Sequence, residues 1–331
     1  MDIKGSLLKK PAFCDLVITE KCMLKCKMCR MWQSQNSESL PLEAWIKFID
    51  SLADFVEGKA QVQFVGGEPL FKKGVLDLIK QAAHRGFSTT MTTNGFLMDE
   101  NTAKDITESN LNTVVFSLDS LKKQSHDFLR GVDGVYDKVM QGLEFLNRVN
   151  NSPLKIHLVT TIMEQNLDDL LELAEWAQRN SAINGFSFQA IMQPFFTAAN
   201  ECWQKSEEFS FLWPKTIDKV DYVLDKLAAF KKAGWKITNP VAQFSAYKAY
   251  FRHPGIFVKR LKCNLGHNSI TVNPAGKIFL CNSMQPIGDI QEGKDMRELW
   301  LSDKAEQVRK AIKNCNHNCK SLINCFYEEE K

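Results

Sequence analysis

Thr19-Glu20-Lys21-Cys22-Met23-Leu24-Lys25-Cys26-Lys27-Met28-Cys29-Arg30 decides how this chain is read. Three thiols fall within eight residues, directly after an apolar, strand-like run from Ala12 to Ile18. Thiolates at this density are soft ligands and favour zinc or an iron–sulfur cluster. Zinc usually recruits a fourth ligand from a nearby second Cys pair, and none follows for roughly 200 residues. A cubane cluster held by three thiolates instead leaves one iron open to a substrate or cosubstrate. With 10 Cys in 331 residues, chance gives this triple on the order of 0.01 times per chain, as the cube of the Cys frequency times the length.

The totals leave room for a metalloprotein. A chain of 331 residues accommodates one large domain and one small one. Its 44% hydrophobic content fits a globular protein with a buried core. No apolar run approaches bilayer-spanning length, and Met1-Asp2-Ile3-Lys4-Gly5 carries no signal-peptide core. Thiols grouped at metal-like spacings agree with a reducing cytoplasm, which is the expected compartment, and disfavour disulfides. Net charge is only +3, with Lys and Arg interspersed among Asp and Glu. Neither nucleic acid nor a membrane is therefore an expected partner.

Outward from the triple, residues 12–192 alternate two kinds of segment. β-rich runs occur at Ala12–Thr19, Gln61–Val65, Ser88–Thr92, Thr113–Leu118, Lys155–Ile162 and Gly185–Ile191. Helical patterns lie between them, near 42–57, 73–85, 99–109, 135–150 and 166–179. Pro41 and Asn166 read as helix starts, Gly58 and Gly86 as helix stops. This alternation predicts right-handed crossovers and a parallel sheet. Ligands of such sheets sit at the C-terminal strand ends, where the cysteine triple falls.

Other strand ends carry matching features. The second run leads into Gly66-Gly67-Glu68-Pro69, the third ends in Thr92-Thr93-Asn94-Gly95, and the fourth in Ser117-Leu118-Asp119. His126-Asp127-Phe128-Leu129-Arg130-Gly131 follows. With the triple, these stretches resemble the radical S-adenosylmethionine (radical SAM) family. The resemblance implies an α/β fold, a partial (β/α)6 barrel of the TIM type, whose first three cysteines hold a [4Fe-4S] cluster. In that family the open iron chelates SAM, and an electron cleaves it to methionine and a 5′-deoxyadenosyl radical that abstracts hydrogen. By the same resemblance Gly66, Gly67, Glu68 and Pro69 bind the SAM amino group, and Thr93 and Asn94 lie near SAM. Ser117 would lie near its ribose and methionine, Asp119 near ribose or substrate. Arg130 would pair with the SAM carboxylate, which its planar fork suits. Gln189 is expected in the adenine pocket. Met28 stands where the family often has an aromatic residue, and Met can pack on adenine. Plainer roles compete: a simple turn at Gly66-Gly67, helix capping by Ser117 and Asp119, a solvated Arg130, structural His126 and Asp127, and a zinc or disulfide knuckle for the triple.

Residues 193–260 read as a loop and two helices, 214–233 and 240–252, bridging two modules and forming one wall of the substrate site. Cys202 is a lone thiol there, a spectator or a donor returning a hydrogen atom to a substrate radical. Cys14 reads as a buried hydrophobe. The last 70 residues hold Cys263, Cys281, Cys315, Cys319 and Cys325. Ile270–Val272 and Lys277–Leu280 read as a hairpin turning at Gly276. This pattern resembles the SPASM or twitch extension of the same family, a small α+β iron–sulfur domain. Five cysteines rather than seven imply one auxiliary [4Fe-4S] cluster, with Cys263 and Cys281 supplying two ligands and Cys315, Cys319 and Cys325 the remainder. A zinc-ribbon-like site competes, and His267 and His317 are expected beside the ligands rather than among them.

The expected organisation is a radical SAM core at 1–200, a helical bridge at 201–259 and the auxiliary domain at 260–331, with no peptide-recognition domain ahead of the first strand. The resemblance implies oxidation or modification of a peptide or small molecule, with electrons from a flavodoxin- or ferredoxin-type donor. Two other readings stand beside it: a radical adenosyl or methylene transferase, and a non-enzymatic iron–sulfur or zinc-stabilised carrier.

Overall fold

The computed structural model describes residues 9–34, 40–198, 200–255 and 263–315. Six strands, β1 (Phe13–Thr19), β2 (Gln61–Gly66), β3 (Ser88–Thr93), β4 (Thr113–Ser117), β5 (Lys155–Ile162) and β6 (Gly185–Ala190), pair in chain order, every pair parallel. The first five are followed by helices, two of them after β4: α1 (Leu42–Val56), α2 (Val75–His84), α3 (Glu100–Thr107), α4 (Lys123–Arg130), α5 (Val135–Val149) and α6 (Leu170–Arg179). Residues such as Leu16, Phe64, Met91, Phe116, Leu158 and Phe188 point toward the helices and are fully buried. Their alternates, Asp15, Gln63, Thr92, Ser117, Thr161 and Gln189, face the concave side, as the two-residue strand period requires. This is the parallel sheet expected from the alternation, curved into the partial barrel that the resemblance implied.

Helix ends follow the sequence signals in most places. Glu57 and Gly58 take positive φ (57° and 66°) after α1, and Gly86 (φ 88°) follows α2. Asn166 is a correction: it starts no helix. Its buried amide donates to the carbonyls of Asp119 and Thr161, and α6 begins after Asp169.

The bridge closes the barrel's open edge. Phe186 N–H donates to the Lys236 carbonyl (3.0 Å), and Thr238 N–H donates to Phe186 (2.8 Å). Asn239 then pairs both backbone groups of Phe188, at 2.7 and 2.9 Å. Helices α7 (Ile217–Lys232) and α8 (Val241–Arg252) back this edge, with the Tyr247 and Tyr250 hydroxyls on the carbonyls of Phe188 and Ile191. Buried edge groups of β6 are thereby paired, as they must be.

The predicted hairpin is present as β7 (Ser269–Val272) and β8 (Lys277–Phe279), turning at Gly276 with φ 84°. It is not a separate layer. β7 pairs parallel with β1, and β8 and β9 (Gly288–Asp289) continue antiparallel, giving one sheet in the order β6-β5-β4-β3-β2-β1-β7-β8-β9. Helices α9 (Met296–Leu301) and α10 (Asp303–Lys313) complete the extension. It docks on α1 through Phe55 against Trp300 (6.3 Å between ring centres) and Met296 N–H on Ser51 Oγ (2.8 Å). No helix among the described residues is long and apolar enough to cross a membrane.

Candidate active site

The cysteine loop after β1 is clamped from two sides by backbone. On one side Gly67 N–H donates to the Thr19 carbonyl and Glu68 N–H to that of Lys21, both at 2.9 Å. A Cβ on Gly66 would lie 2.2 Å from the Thr19 oxygen, and one on Gly67 2.3 Å from that of Lys21. On the other side Lys25 N–H donates to Arg130 (3.1 Å) and Lys27 N–H to Leu129 (2.8 Å). Gly131 (φ 70°) lies so close that a Cβ would meet the Lys25 oxygen at 2.1 Å. The glycines are thus required for backbone to lie on backbone, a different reason from the ligand approach expected of them.

This clamp presents Cys22, Cys26 and Cys29 to one cavity. Burial pushes the Cys22 thiol up to about 11 and that of Cys26 to about 12, and raises Cys29. Each sulfur nevertheless has a donor aimed at it. Leu24 N–H and Asn94 Nδ2 (3.6 Å) reach Cys22, Arg130 reaches Cys26, and Met31 N–H (3.4 Å) reaches Cys29. Such surroundings favour the thiolate once a cationic group binds. Among the described residues no three His, Cys, Asp or Glu side chains converge on a single-ion position. Three sulfurs opening on one shared cavity, each with a donor to steady its thiolate when a cationic group binds, fit a multi-iron cluster.

The acidic groups behave differently from expectation. Glu68 is fully buried and accepts from Thr93 Oγ1 (2.9 Å), Asn94 N–H (2.8 Å) and Leu70 N–H (3.2 Å). Its carboxylate therefore ties the Gly-Gly-Glu-Pro loop to the Thr-Asn-Gly turn instead of facing the cavity, and burial pushes its pKa up to about 7. Pro69 is buried beside it and also lies off the cavity. Asp119 is fully buried, accepts from Thr161 N–H (3.0 Å) and pairs with Arg130 Nη2 at 2.8 Å. His126 holds the same turn, its Nδ1 accepting from Asp119 N–H (3.1 Å), and Asp127 accepts from Gly134 and Tyr136 N–H at 2.8 Å. Both are structural, as expected.

Gly66, Gly67, Thr93, Asn94, Ser117, Arg130 and Gln189 do line the cavity, together with Met28. Its volume is about 580 Å³, and it runs from the cysteine loop and Phe195 down through the barrel to Gln61 and His157. Gly185 makes room for that imidazole, since a Cβ there would lie 2.9 Å from His157 Nε2. Sequence reasoning missed His157 and Gln63; strand alternation in β5 and β2 was the signal available. Cys202 is exposed and outside the cavity lining.

The family model of the radical SAM superfamily matches residues 16–177, the stretch that builds this barrel and its cysteine loop. The chain belongs to the radical SAM superfamily. A second model, that of the SPASM iron–sulfur cluster-binding domain, matches residues 263–325. Among curated relatives, the AdoMet-dependent heme synthase of Methanosarcina barkeri is 24% identical over 88% of this chain and 82% of its own length. The GTP 3′,8-cyclase of Peptoclostridium acidaminophilum is 23% identical over 92% of both chains. Among solved structures, Streptococcus suis SuiB bound to its precursor peptide SuiA superposes with a TM-score of 0.71 at 17% identity, over 97% of this chain and 74% of SuiB. That likeness is one of fold.

Membership in the radical SAM superfamily implies a [4Fe-4S] cluster and SAM at the first site, and the SPASM domain implies auxiliary iron–sulfur binding. In the SPASM region Cys263 precedes the Asn264–His267 turn, Cys281 follows β8, and Cys315 follows α10. Arg309 joins these pieces: it is buried, donates to the carbonyls of Gly266 (2.8 Å) and Trp300 (2.7 Å), and lies 4.6 Å over the Trp300 ring. Gly266 in turn sits within reach of Ile312 and Leu280. Cys319, Cys325 and His317 lie outside the described residues.

Proposed function

We propose that this radical SAM protein reductively cleaves SAM at the Cys22, Cys26 and Cys29 site and uses the resulting radical to oxidise or modify a peptide or small molecule held in the barrel. Carrying the reading is the clamp: three sulfurs, that of Cys26 buried and those of Cys22 and Cys29 half-buried, each met by a donor, at the mouth of the chamber. When bound there, the cluster supplies the electron that breaks a carbon–sulfur bond of SAM. The chain's own residues then have distinct tasks. Gly66 and Gly67 hold the cysteine loop and offer backbone to the cosubstrate, while Asn94 and Ser117 supply polar contacts from the cavity wall. Gln189 is assigned to the adenine and Arg130 to the SAM carboxylate. Glu68, Pro69 and Asp119 position these groups from behind. Enclosure by the barrel keeps solvent from quenching the radical.

Under the same proposal Cys263 and Cys281, with two or three of Cys315, Cys319 and Cys325, hold one auxiliary four-iron cluster that accepts an electron from the substrate radical or shapes its pocket. The organisation is a core at 1–200, a bridge at 201–259 and the auxiliary domain at 260–331. A flavodoxin- or ferredoxin-type donor would reduce the first cluster in a reducing cytoplasm. Anaerobic reconstitution tests this reading. It predicts about eight irons per chain, as two four-iron clusters, and 5′-deoxyadenosine that forms only with reductant. One bound zinc and no SAM cleavage would discard it.

A further inference from the structure

The turn after β3 brings a side-chain amide to the cysteine loop from 72 residues away. Asn94 is buried, and its surroundings leave it one orientation. Its backbone N–H donates to Glu68 Oε2 (2.8 Å). Gly95, at φ 77°, carries the turn where a Cβ would press on Val139 and Phe116. The Asn94 Oδ1 accepts from Phe96 N–H (2.9 Å). A backbone N–H only donates, so the amide oxygen is fixed on that side and both amide hydrogens turn the other way. There Nδ2 lies 3.6 Å from Cys22 Sγ and 3.6 Å from Met23 Sδ.

The turn alone does not ask for asparagine. A side chain that accepts from the N–H two residues on is supplied by Asp as readily as by Asn. What Asn adds is the pair of amide hydrogens, and what it avoids is a carboxylate pressed against thiolates. Leu24 N–H on Cys22 and Met31 N–H on Cys29 (3.4 Å) are backbone donors, which any sequence supplies. Asn94 is a side chain, and so a point at which the sequence sets how much charge the sulfur carries. A hydrogen bond into a thiolate ligand withdraws charge from sulfur and favours the more negative state of the cluster it holds.

We propose that Asn94, acting through Cys22, raises the reduction potential of the first cluster, so that the cluster accepts its single electron more readily. Asn94 is in this role a positioning residue, one that works through a ligand and not on the reacting bond. The inference rests on the cluster proposed at Cys22, Cys26 and Cys29.

A redox titration followed by electron paramagnetic resonance tests it, on the anaerobically reconstituted full chain without SAM and in the Cys281→Ala background. Asn94→Leu should lower the midpoint by the equivalent of about tenfold in the one-electron equilibrium, about 59 mV. Thr93→Val removes two hydrogen bonds of the same turn, to Glu68 Oε1 and from Gly95 N–H, and neither involves a sulfur. Its midpoint should stay at the parent value. A midpoint unmoved in Asn94→Leu, or moved as far in Thr93→Val, would overturn the proposal. Should Asn94→Leu fail to hold iron, the unsubstituted side chain decides. With asparagine labelled by nitrogen-15 at its amide, pulsed resonance of the reduced parent should show coupling of that nucleus to the cluster, and its absence would overturn the proposal. Iron content and the reduced signal of the parent report the cluster itself. Their loss would discard the cluster assignment and this inference with it, whereas an unmoved midpoint discards only the role of Asn94.

Discussion

The two cysteine-rich regions of the molecule are held by different means. In the first, backbone is clamped on backbone: the loop from Lys21 to Lys27 lies between the Gly66-Gly67 strand end and Gly131, at separations no side chain would permit. Among the described residues of the second, the side chains of Arg309, Trp300, Ile312 and Leu280 pack the pieces together. Backbone contacts are stiff and leave one geometry, whereas packed side chains yield by tenths of an ångström at small cost. A site that must leave one iron open in a defined direction needs the first arrangement. A site that carries charge or shapes a pocket tolerates the second.

Cysteine removal breaks the comparison most sharply. Cys26→Ala should lower reductive SAM cleavage by more than about 100-fold and remove four of about eight irons. Cys281→Ala should remove a similar amount of iron yet retain measurable 5′-deoxyadenosine formation. Iron assay and chromatography of the product check both, and unchanged iron in Cys281→Ala would count against the auxiliary cluster.

Next in size is Arg130→Met. It leaves Asp119 charged and buried beside the thiols, and should destabilise the core by about 3–5 kcal/mol in denaturant unfolding. A loss under about 1 kcal/mol would mean that the pair is more solvated than its burial indicates.

Glycine replacements compare the two regions directly. Gly131→Ala drives a methyl into the Lys25 carbonyl and should cost about 2–4 kcal/mol, together with iron from the first site. Gly266→Ala also sits at positive φ (89°), but its Cβ meets only the tip of Ile312 at 3.0 Å. That change should cost about 1–2 kcal/mol and spare the first cluster. Equal losses in melting experiments would erase the distinction between stiff and yielding support.

The smallest effect is in pH. Glu68 has a folded pKa of about 7, above its unfolded value, because burial disfavours the charge. Its contribution is fully present below the unfolded pKa and is lost as pH rises from about 4.5 through about 7. At Asp289 burial pushes the carboxyl up, but hydrogen bonds from Lys277 and Gln291 outweigh it and hold the group below its ordinary range. Its contribution is present at neutral pH and disappears only as pH falls below the ordinary carboxylate range. Glu68→Gln should flatten stability between pH 5 and 7, a window of about two units, while Asp289→Asn should not.

Much of this was readable beforehand. Buried parallel strands leave runs such as Lys155–Ile162, and α1 carries its apolar stripe at Trp45, Phe48, Ile49 and Leu52, so boundaries fell within a few residues. Helix α4 was not foreseen, because it is only eight residues long and the residues it buries include His126 and Asp127 while Phe128 is exposed. Pairing of β7 with β1 links residues more than 250 positions apart (Phe13 with Ser269), beyond any local signal. The site's residue types were visible, but their directions were not: a Glu or Asp at a strand end reads the same whether it faces a ligand or, like Glu68 and Asp119, braces a neighbouring turn. Asn239 offered a signal that went unread, an Asn before Pro240 after a short β-like stretch, positioned to pair the edge of β6.

The most direct test of the central claim is electron paramagnetic resonance of reduced Cys281→Ala, which isolates the first cluster, recorded before and after addition of SAM. If three sulfurs leave an iron open, SAM will shift the cluster's g-values, and 5′-deoxyadenosine and methionine will form in equal amounts. An unshifted spectrum with no cleavage would show a fully ligated cluster and contradict the account.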